Sequence, residues 1–271
     1  MLAYKDGKGN NILRKSFCTY FDILGFSDKI KNEDYSYFDM YLSVLKIEMD
    51  YIKEEQELEG YGNFFELKVF TDNFVFGYPW QSEDGEADLG RLFDVLSHIQ
   101  YNFAIANIFI RGAIALGDLF MDENIVLGKA LIEAYKLETE KAIFPRIILS
   151  NNVLAEVKKH IGYYKYNDYA PQYEEYLLDI DGQYFLNYLL IAIRDFDGQV
   201  DITDQMIESH KKIVELNLQN NANDFALFEK YAWVGKYHNY FCDTFLLPKN
   251  PKAEILKINN NLLNKAIARC N

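Results

Sequence analysis

Two aromatic-rich stretches, residues 64–70 and 74–78, are separated only by the turn Thr71-Asp72-Asn73. Strand-forming residues on both sides of so short a connection predict a β-hairpin. A hairpin set among helical patterns points to an α+β design. Residues 17–24 read as the preceding strand, ending at Gly25-Phe26-Ser27, with Ser27 a candidate cap for the next helix. Residues 35–57 have helical apolar spacing and a charged outer face. After the hairpin come a helix over 89–107, a strand over 108–119, a turn at Asp122-Glu123-Asn124 and a helix over 129–141. Pro145 breaks that helix, residues 146–149 form a short strand, and Ser150 caps a further helix. The order β-α-α-β-β-α-β-α-β predicts one sheet with helices on one face. Past residue 160 the texture changes. Strands over 176–180 and 183–187 flank the turn Asp181-Gly182, and helices are expected over 203–218, 224–241 and 251–269. Without a Gly/Ser linker or repeat between them, residues 1–160 are expected to form a core and 161–271 a hairpin and helical extension packed on it.

The 271 residues are 49% hydrophobic, enough to bury one sizeable core. A net charge of -13 repels polyanions, so neither nucleic acid nor an anionic membrane is expected as a partner. A nucleotide stays compatible, because a divalent ion can bridge carboxylate and phosphate. The cysteines, Cys18, Cys242 and Cys270, are odd in number and irregularly spaced, which argues for a reducing compartment and against a disulfide framework or zinc site. The histidines show no metal-ligand spacing. With no signal-peptide pattern and no apolar run long enough to span a bilayer, a cytoplasmic protein is expected. Glu208, Ser209 and His210 are adjacent on one helical pattern, so they cannot face one another as a triad.

Asp22 is the first residue that invites chemistry. It interrupts the apolar strand Phe21-Asp22-Ile23-Leu24, where a buried carboxylate is costly unless it is paired or metal-bound. Asp72 sits at the hairpin tip, where an ordinary turn aspartate is the competing explanation. If the first strand and the hairpin are neighbours, the two carboxylates meet, and such a pair suits Mg²⁺ or Mn²⁺ on a triphosphate. Gly25 permits close backbone approach, and the helix beginning near Phe26 points free N–H groups at an anion.

Phe21-Asp22-Ile23-Leu24-Gly25-Phe26-Ser27 resembles the first metal motif of class III adenylate and guanylate cyclases. Lys68-Val69-Phe70-Thr71-Asp72 resembles their second, Ile110-Arg111-Gly112-Ala113-Ile114 with Gly117 the core strand that follows, and 128–138 their catalytic helix. The resemblance spans residues 17–154 and implies a palm-like, ferredoxin-like sheet. Two positions depart from the purine enzymes. The catalytic asparagine of that helix falls at Ile132, while Lys136 keeps a cation at the arginine position; of the adenine-reading pair, Lys68 matches the lysine but the aspartate falls at Ile125. The chain is more similar to the pyrimidine cyclases of Pycsar antiphage systems. It shares with them Asp-Ile-Leu-Gly-Phe-Ser, 134–138, Phe144-Pro145-Arg146-Ile147, Asp181-Gly182, Lys230-Tyr231-Ala232-Trp233 and His238-Asn239.

That resemblance implies conversion of UTP or CTP to a 3′,5′-cyclic nucleotide, whose release activates a separate effector, by a homodimer with active sites at its interface. It implies two divalent ions, Mn²⁺ or Mg²⁺, on Asp22, Asp72 and the Ile23 carbonyl. Phosphates would rest on the amides of Leu24, Gly25 and Phe26, and Lys136 would stabilise the transition state from the partner subunit. Arg111 and Arg146 are candidates for triphosphate or base contacts, against structural ion pairing. Tyr135 and Lys68 are candidates for the base pocket. A purine cyclase, a catalytically inactive nucleotide sensor and an interaction scaffold stay open as alternatives.

Overall fold

In the computed structural model, which describes residues 4–31, 35–58, 65–195, 199–248 and 250–263, eight strands form one mixed sheet. Strand β1 (Arg14–Ile23) leads into α1 (Phe26–Lys31) and α2 (Tyr35–Leu58). The hairpin β2 (Glu66–Phe70) and β3 (Asn73–Pro79) follows, then α3 (Glu86–Ile105) and β4 (Ile110–Met121). Next come β5 (Val126–Gly128), α4 (Lys129–Lys141), β6 (Ile147–Leu149) and α5 (Asn151–Ile161). The second hairpin is β7 (Tyr176–Leu178) and β8 (Tyr184–Leu186). Helices α6 (Ile191–Arg194), α7 (Val200–Asn220), α8 (Phe225–Phe241), α9 (Ala253–Leu256) and α10 (Asn260–Leu263) complete the described chain. The expected start of the hairpin at Phe64 lies outside the described residues.

The strand order is β2-β3-β1-β4-β6-β8-β7, with β5 paired to β4 beside this path. Strand alternation separates two faces. Phe17, Phe21, Phe74 and Phe76 point into a core with Tyr37 and Tyr41 of α2, Leu92 and Leu96 of α3, and Val153 and Val157 of α5. This is the expected α+β layer of helices on one face. Phe21 and Phe74 stack at 4.6 Å between centroids, fixing β1 against β3. On the other face Cys18, Tyr20, Val75 and Ala115 meet Ala130 and Ala134 of α4. Further along that face Ala113, Ile148 and Phe185 meet Tyr237 and Phe241 of α8. The second hairpin continues the main sheet through Ile148 opposite Phe185.

Three local expectations change. Ser27 lies inside α1, which begins at Phe26 directly after Gly25 in the left-handed region at φ +74. Strand β5 was not read from its three residues. The single helix over 251–269 is two short helices where described, with Lys257 extended between them at ψ 147, and its end lies outside the described residues. Asn239 is the physical reason. Its side-chain amide donates to the Ile258 carbonyl at 2.8 Å and accepts from the Ile258 N–H at 2.7 Å, offering the backbone a partner other than a helical turn.

Among the described residues no helix is long and apolar enough to cross a membrane.

Candidate active site

Phe70, Asn73, Asp22 and Arg111 stand opposite one another across β2, β3, β1 and β4. One row inward stand Lys68, Val75, Tyr20 and Ala113. Directly paired residues share a face, so both rows look toward the α4 side of the sheet. The tip of the β2–β3 hairpin is tied to β1, because the Ile23 N–H donates to the Asp72 carbonyl at 3.2 Å. Asp22 and Asp72 therefore meet at one end of the sheet.

Arg111 organises this end. Its Nε and Nη2 each donate to a different oxygen of Asp22 at 2.8 Å, a bidentate fork. The same Nη2 lies 3.1 Å from Glu138 Oε1 of α4. Arg111 is half-buried, with 29% of its side chain exposed, whereas Glu138 keeps only 4%. Its hydrogen bond to Asp22 raises the guanidinium pKa. Burial, then the charge of Asp22, raises the Glu138 carboxyl.

The turn that carries Asp72 is held from below. Thr71 takes a left-handed φ of 58, and its carbonyl accepts from the Tyr41 hydroxyl of α2 at 2.9 Å. Asp72 Oδ1 accepts from Thr71 Oγ1 at 2.8 Å and Asn73 Nδ2 at 3.1 Å. Asp72 Oδ2 has no hydrogen-bond donor among the described residues. The amides after β1 are not equivalent. That of Leu24 is committed to the Phe109 carbonyl at 2.8 Å. Those of Gly25 and Phe26 make no backbone hydrogen bond among the described residues, and the space beside the Gly25 Cα is open.

The other expected residues divide. Lys68 shares the face and donates to the Glu123 carbonyl at 2.8 Å, which brings it to the turn carrying Ile125. Tyr135 meets Tyr20 edge-on at 5.3 Å, so α4 borders the same cleft. Lys136 follows it on α4 and is exposed. Gly128 fixes the start of that helix. Its φ is +147, and a Cβ there would lie 2.2 Å from the Asp118 carbonyl oxygen and 2.7 Å from the Leu119 Cα. Only glycine lets the chain leave β5 so close to β4. Arg146 is not brought into the cleft. Its side chain has no exposure, its two Nη atoms pair with Asp179 and Asp181, and Phe144, Phe185 and Trp233 surround it.

Three neighbours carry no site role in the sequence reading, although two of them, Glu138 and Lys230, lie within its shared motifs. Glu138 extends the buried stripe Ala130-Ala134 by four residues, so a carboxylate on the inner face of α4 was the available signal. Tyr20 donates to Asn73 Oδ1, and burial pushes its phenol up to about 12. Lys230 of α8 has its ammonium pKa lowered by burial and by Arg111. Nothing in the sequence links α8 to this end of the sheet.

Hard oxygen donors are the right kind for Mg²⁺ or Mn²⁺. Asp72 offers the free Oδ2, while Asp22 offers oxygens already bridged by Arg111. Among the described residues no group of three or more His, Cys, Asp or Glu gathers as a metal site. The pair fits a metal in donor chemistry, and Arg111 must yield part of its fork for Asp22 to serve.

No protein-family model matches the chain, and no curated protein does. Solved structures are similar at low identity. The guanylyl cyclase Cya2 is 13% identical over 53% of this chain and 78% of that one, with a TM-score of 0.38. The catalytic core of a rhodopsin-guanylyl cyclase with converted specificity, in complex with ATPalphaS, is 17% identical over 64% and 95%, at 0.41. A class III adenylyl cyclase-like ATP-binding protein from Pseudomonas aeruginosa is 14% identical over 60% and 39%, at 0.40.

Proposed function

We propose that the chain is a pyrimidine nucleotide cyclase, converting UTP or CTP to the 3′,5′-cyclic nucleotide and pyrophosphate. It works as a homodimer, and its product activates a separate antiphage effector. The observation that carries the reading is the meeting of Asp22 and Asp72 at one end of the sheet, with Arg111 beside them. The motif order in the sequence supports it.

Asp22, Asp72 and the Ile23 carbonyl would hold two Mg²⁺ or Mn²⁺ ions, which would supply Lewis acidity to the ribose 3′-hydroxyl and the phosphates. The chain's own residues do the rest. The amides of Gly25 and Phe26 receive phosphate oxygens, and Arg111 turns from Asp22 toward the triphosphate. The 3′-oxygen attacks the α-phosphorus, its proton passes to solvent, and the bond to the β-bridging oxygen breaks to release pyrophosphate. Lys136 of the partner subunit stabilises charge on the α-phosphoryl oxygens. Lys68 and Tyr135 border the base. Leu24 shapes the turn, and Arg146 enters as a structural tie of the second hairpin. Phe70, Ile125, Leu127 and Ile132 are large, apolar and exposed around the cleft, which suits a shared dimer site.

One observation favours a second reading. Ile132, where purine cyclases carry their catalytic asparagine, is 68% exposed and offers no donor, as in a sensor that binds nucleotide without turnover. Incubation of the purified protein with Mn²⁺ and each nucleoside triphosphate separates these. Cyclic UMP or CMP is expected by mass spectrometry, and Asp72→Ala should lower its rate roughly 10²-fold or more. Binding without product would leave the sensor; product from ATP or GTP alone would make it a purine enzyme.

A further inference from the structure

The far edge of the sheet carries a second feature, independent of the Asp22 end. A groove of ≈ 780 Å³ lies between β7 and α8, floored by Trp233 and Phe185. Its size and its aromatic wall match those of sites that hold ligands or peptide side chains.

Strand β7 ends the sheet. Its register gives the state of each backbone group. Asp179 N–H donates to the Gln183 carbonyl at 2.9 Å and Asn187 N–H to the Glu175 carbonyl at 2.9 Å. The hydrogen-bonded pairs therefore include Leu177 with Phe185, and the N–H and C=O groups of Tyr176 and Leu178 point away from β8. Leu177, Leu178, Asp179 and Ile180 all line the groove. Their side chains alternate between faces, so the groove runs along the strand's edge. Leu178 is 59% exposed, and Ile180 is wholly exposed. An apolar open edge of this kind is what natural sheets ordinarily cover or charge.

The opposite wall is one stripe of α8. Phe225, Glu229, Lys236 and Tyr240 follow helical spacing along it. Glu229 and Lys236 have no ion-pair partner among the described residues. They are seven positions apart, so they stand ~10 Å apart along the axis, about three residues of an extended strand. Both ends of the stripe are exposed aromatic rings. The floor is rigid, since Trp233 Nε1 donates to Asp179 Oδ2 at 2.7 Å and Trp233 stacks on Phe144.

We propose that this edge is a docking site for an extended segment of a partner protein, which adds to β7 as a further strand. Main-chain bonds to Tyr176 and Leu178 hold the segment, and alternate apolar side chains enter the groove. A basic residue meets Glu229 and an acidic residue, about three positions away, meets Lys236.

The test uses the full-length chain and random linear peptides displayed on phage. Enriched sequences should alternate apolar residues and carry a base and an acid about three apart. The consensus peptide, synthesised with a fluorophore, is then titrated by anisotropy. Leu178→Pro removes an edge N–H and should weaken binding roughly tenfold, while Leu178→Ala, which keeps it, should weaken it less. Lys236→Glu should likewise weaken it, with recovery on a peptide whose acid is replaced by lysine. That charge swap keeps the proposal falsifiable if Leu178→Pro does not fold. No enrichment, or binding indifferent to both the proline and the charge swap, would overturn it. So would light scattering in which Leu178→Pro or Ile180→Asp halves the mass, because a second copy would then occupy the edge.

Discussion

Arg111 and Arg146 stand one strand apart, immediately before paired residues Gly112 and Ile147 of β4 and β6. Each is met by two carboxylates, Asp22 and Glu138 for the first, Asp179 and Asp181 for the second. Yet Arg111 keeps 29% of its side chain in solvent and Arg146 none. The cause is what lies above them. The cleft beside α4 is left open, while α8 and the second hairpin close over Arg146 with Phe144, Phe185 and Trp233. The same ionic chemistry thus stays open to solvent at one place and is sealed into the architecture at the other.

Removing each arginine in turn separates the two sites by the largest effect. Arg146→Ala should cost about 3–5 kcal/mol in urea denaturation, because it leaves buried carboxylates without their cation. Arg111→Ala should cost only about 1–2 kcal/mol, since Asp22 can hydrate and Glu138 can take up a proton. Its loss should instead appear in product formation, roughly 10²-fold. Equal stability losses would erase the distinction.

Acid sharpens it further on the sealed side. His238 Nε2–H donates to the Leu256 carbonyl at 2.9 Å, so its Nδ1 accepts from His210 Nδ1–H at 2.9 Å, and His210 Nε2 accepts from the Tyr188 hydroxyl at 2.7 Å. This chain of bonds requires both rings neutral. Burial lowers His238 to about 4, and burial with the neighbouring His238 lowers His210 as well. Between pH 6.5 and about 4 the unfolded chain binds more protons, so stability is fully present above 6.5 and falls as pH drops. His238 alone accounts for at most about 3 kcal/mol over that window. Urea midpoints across it should slope less steeply in His238→Gln; parallel slopes would remove the pair from the account.

The smallest effect is expected in the open cleft. Glu138→Gln keeps the volume and deletes an anion beside Arg111. It should change stability by about 1 kcal/mol or less and lower the KM for the triphosphate roughly fivefold. An unchanged KM would mean that Arg111 does not meet the phosphates.

Apart from the short β5 and α6, the order of elements through α8 was legible because helical and strand periodicities alternate over long stretches, and the hairpin tip at Asp72 was legible from Thr71-Asp72-Asn73 itself. Pairing was not. Local patterns carry no register, so neither the fork between Arg111 and Asp22 nor the joining of Phe185 to Ile148 could be read. Arg146 had the composition of a ligand-binding residue, and only burial distinguishes it from Arg111. The C-terminal helix misled because its interruption depends on Asn239, far away in sequence.

Gly128 has a consequence for how such a chain can diversify. Its missing side chain sets the pivot from which α4 leaves the sheet, with the Asp118 carbonyl 2.2 Å from where a methyl would sit. Tyr135, Lys136 and Glu138 ride on one lever. Outward positions of the helix such as Ile132 and Lys136 are exposed and can be exchanged one at a time without disturbing the fulcrum. A change at the fulcrum would shift every one of them at once. The outward surface of the helix is therefore free to vary while its aim stays fixed.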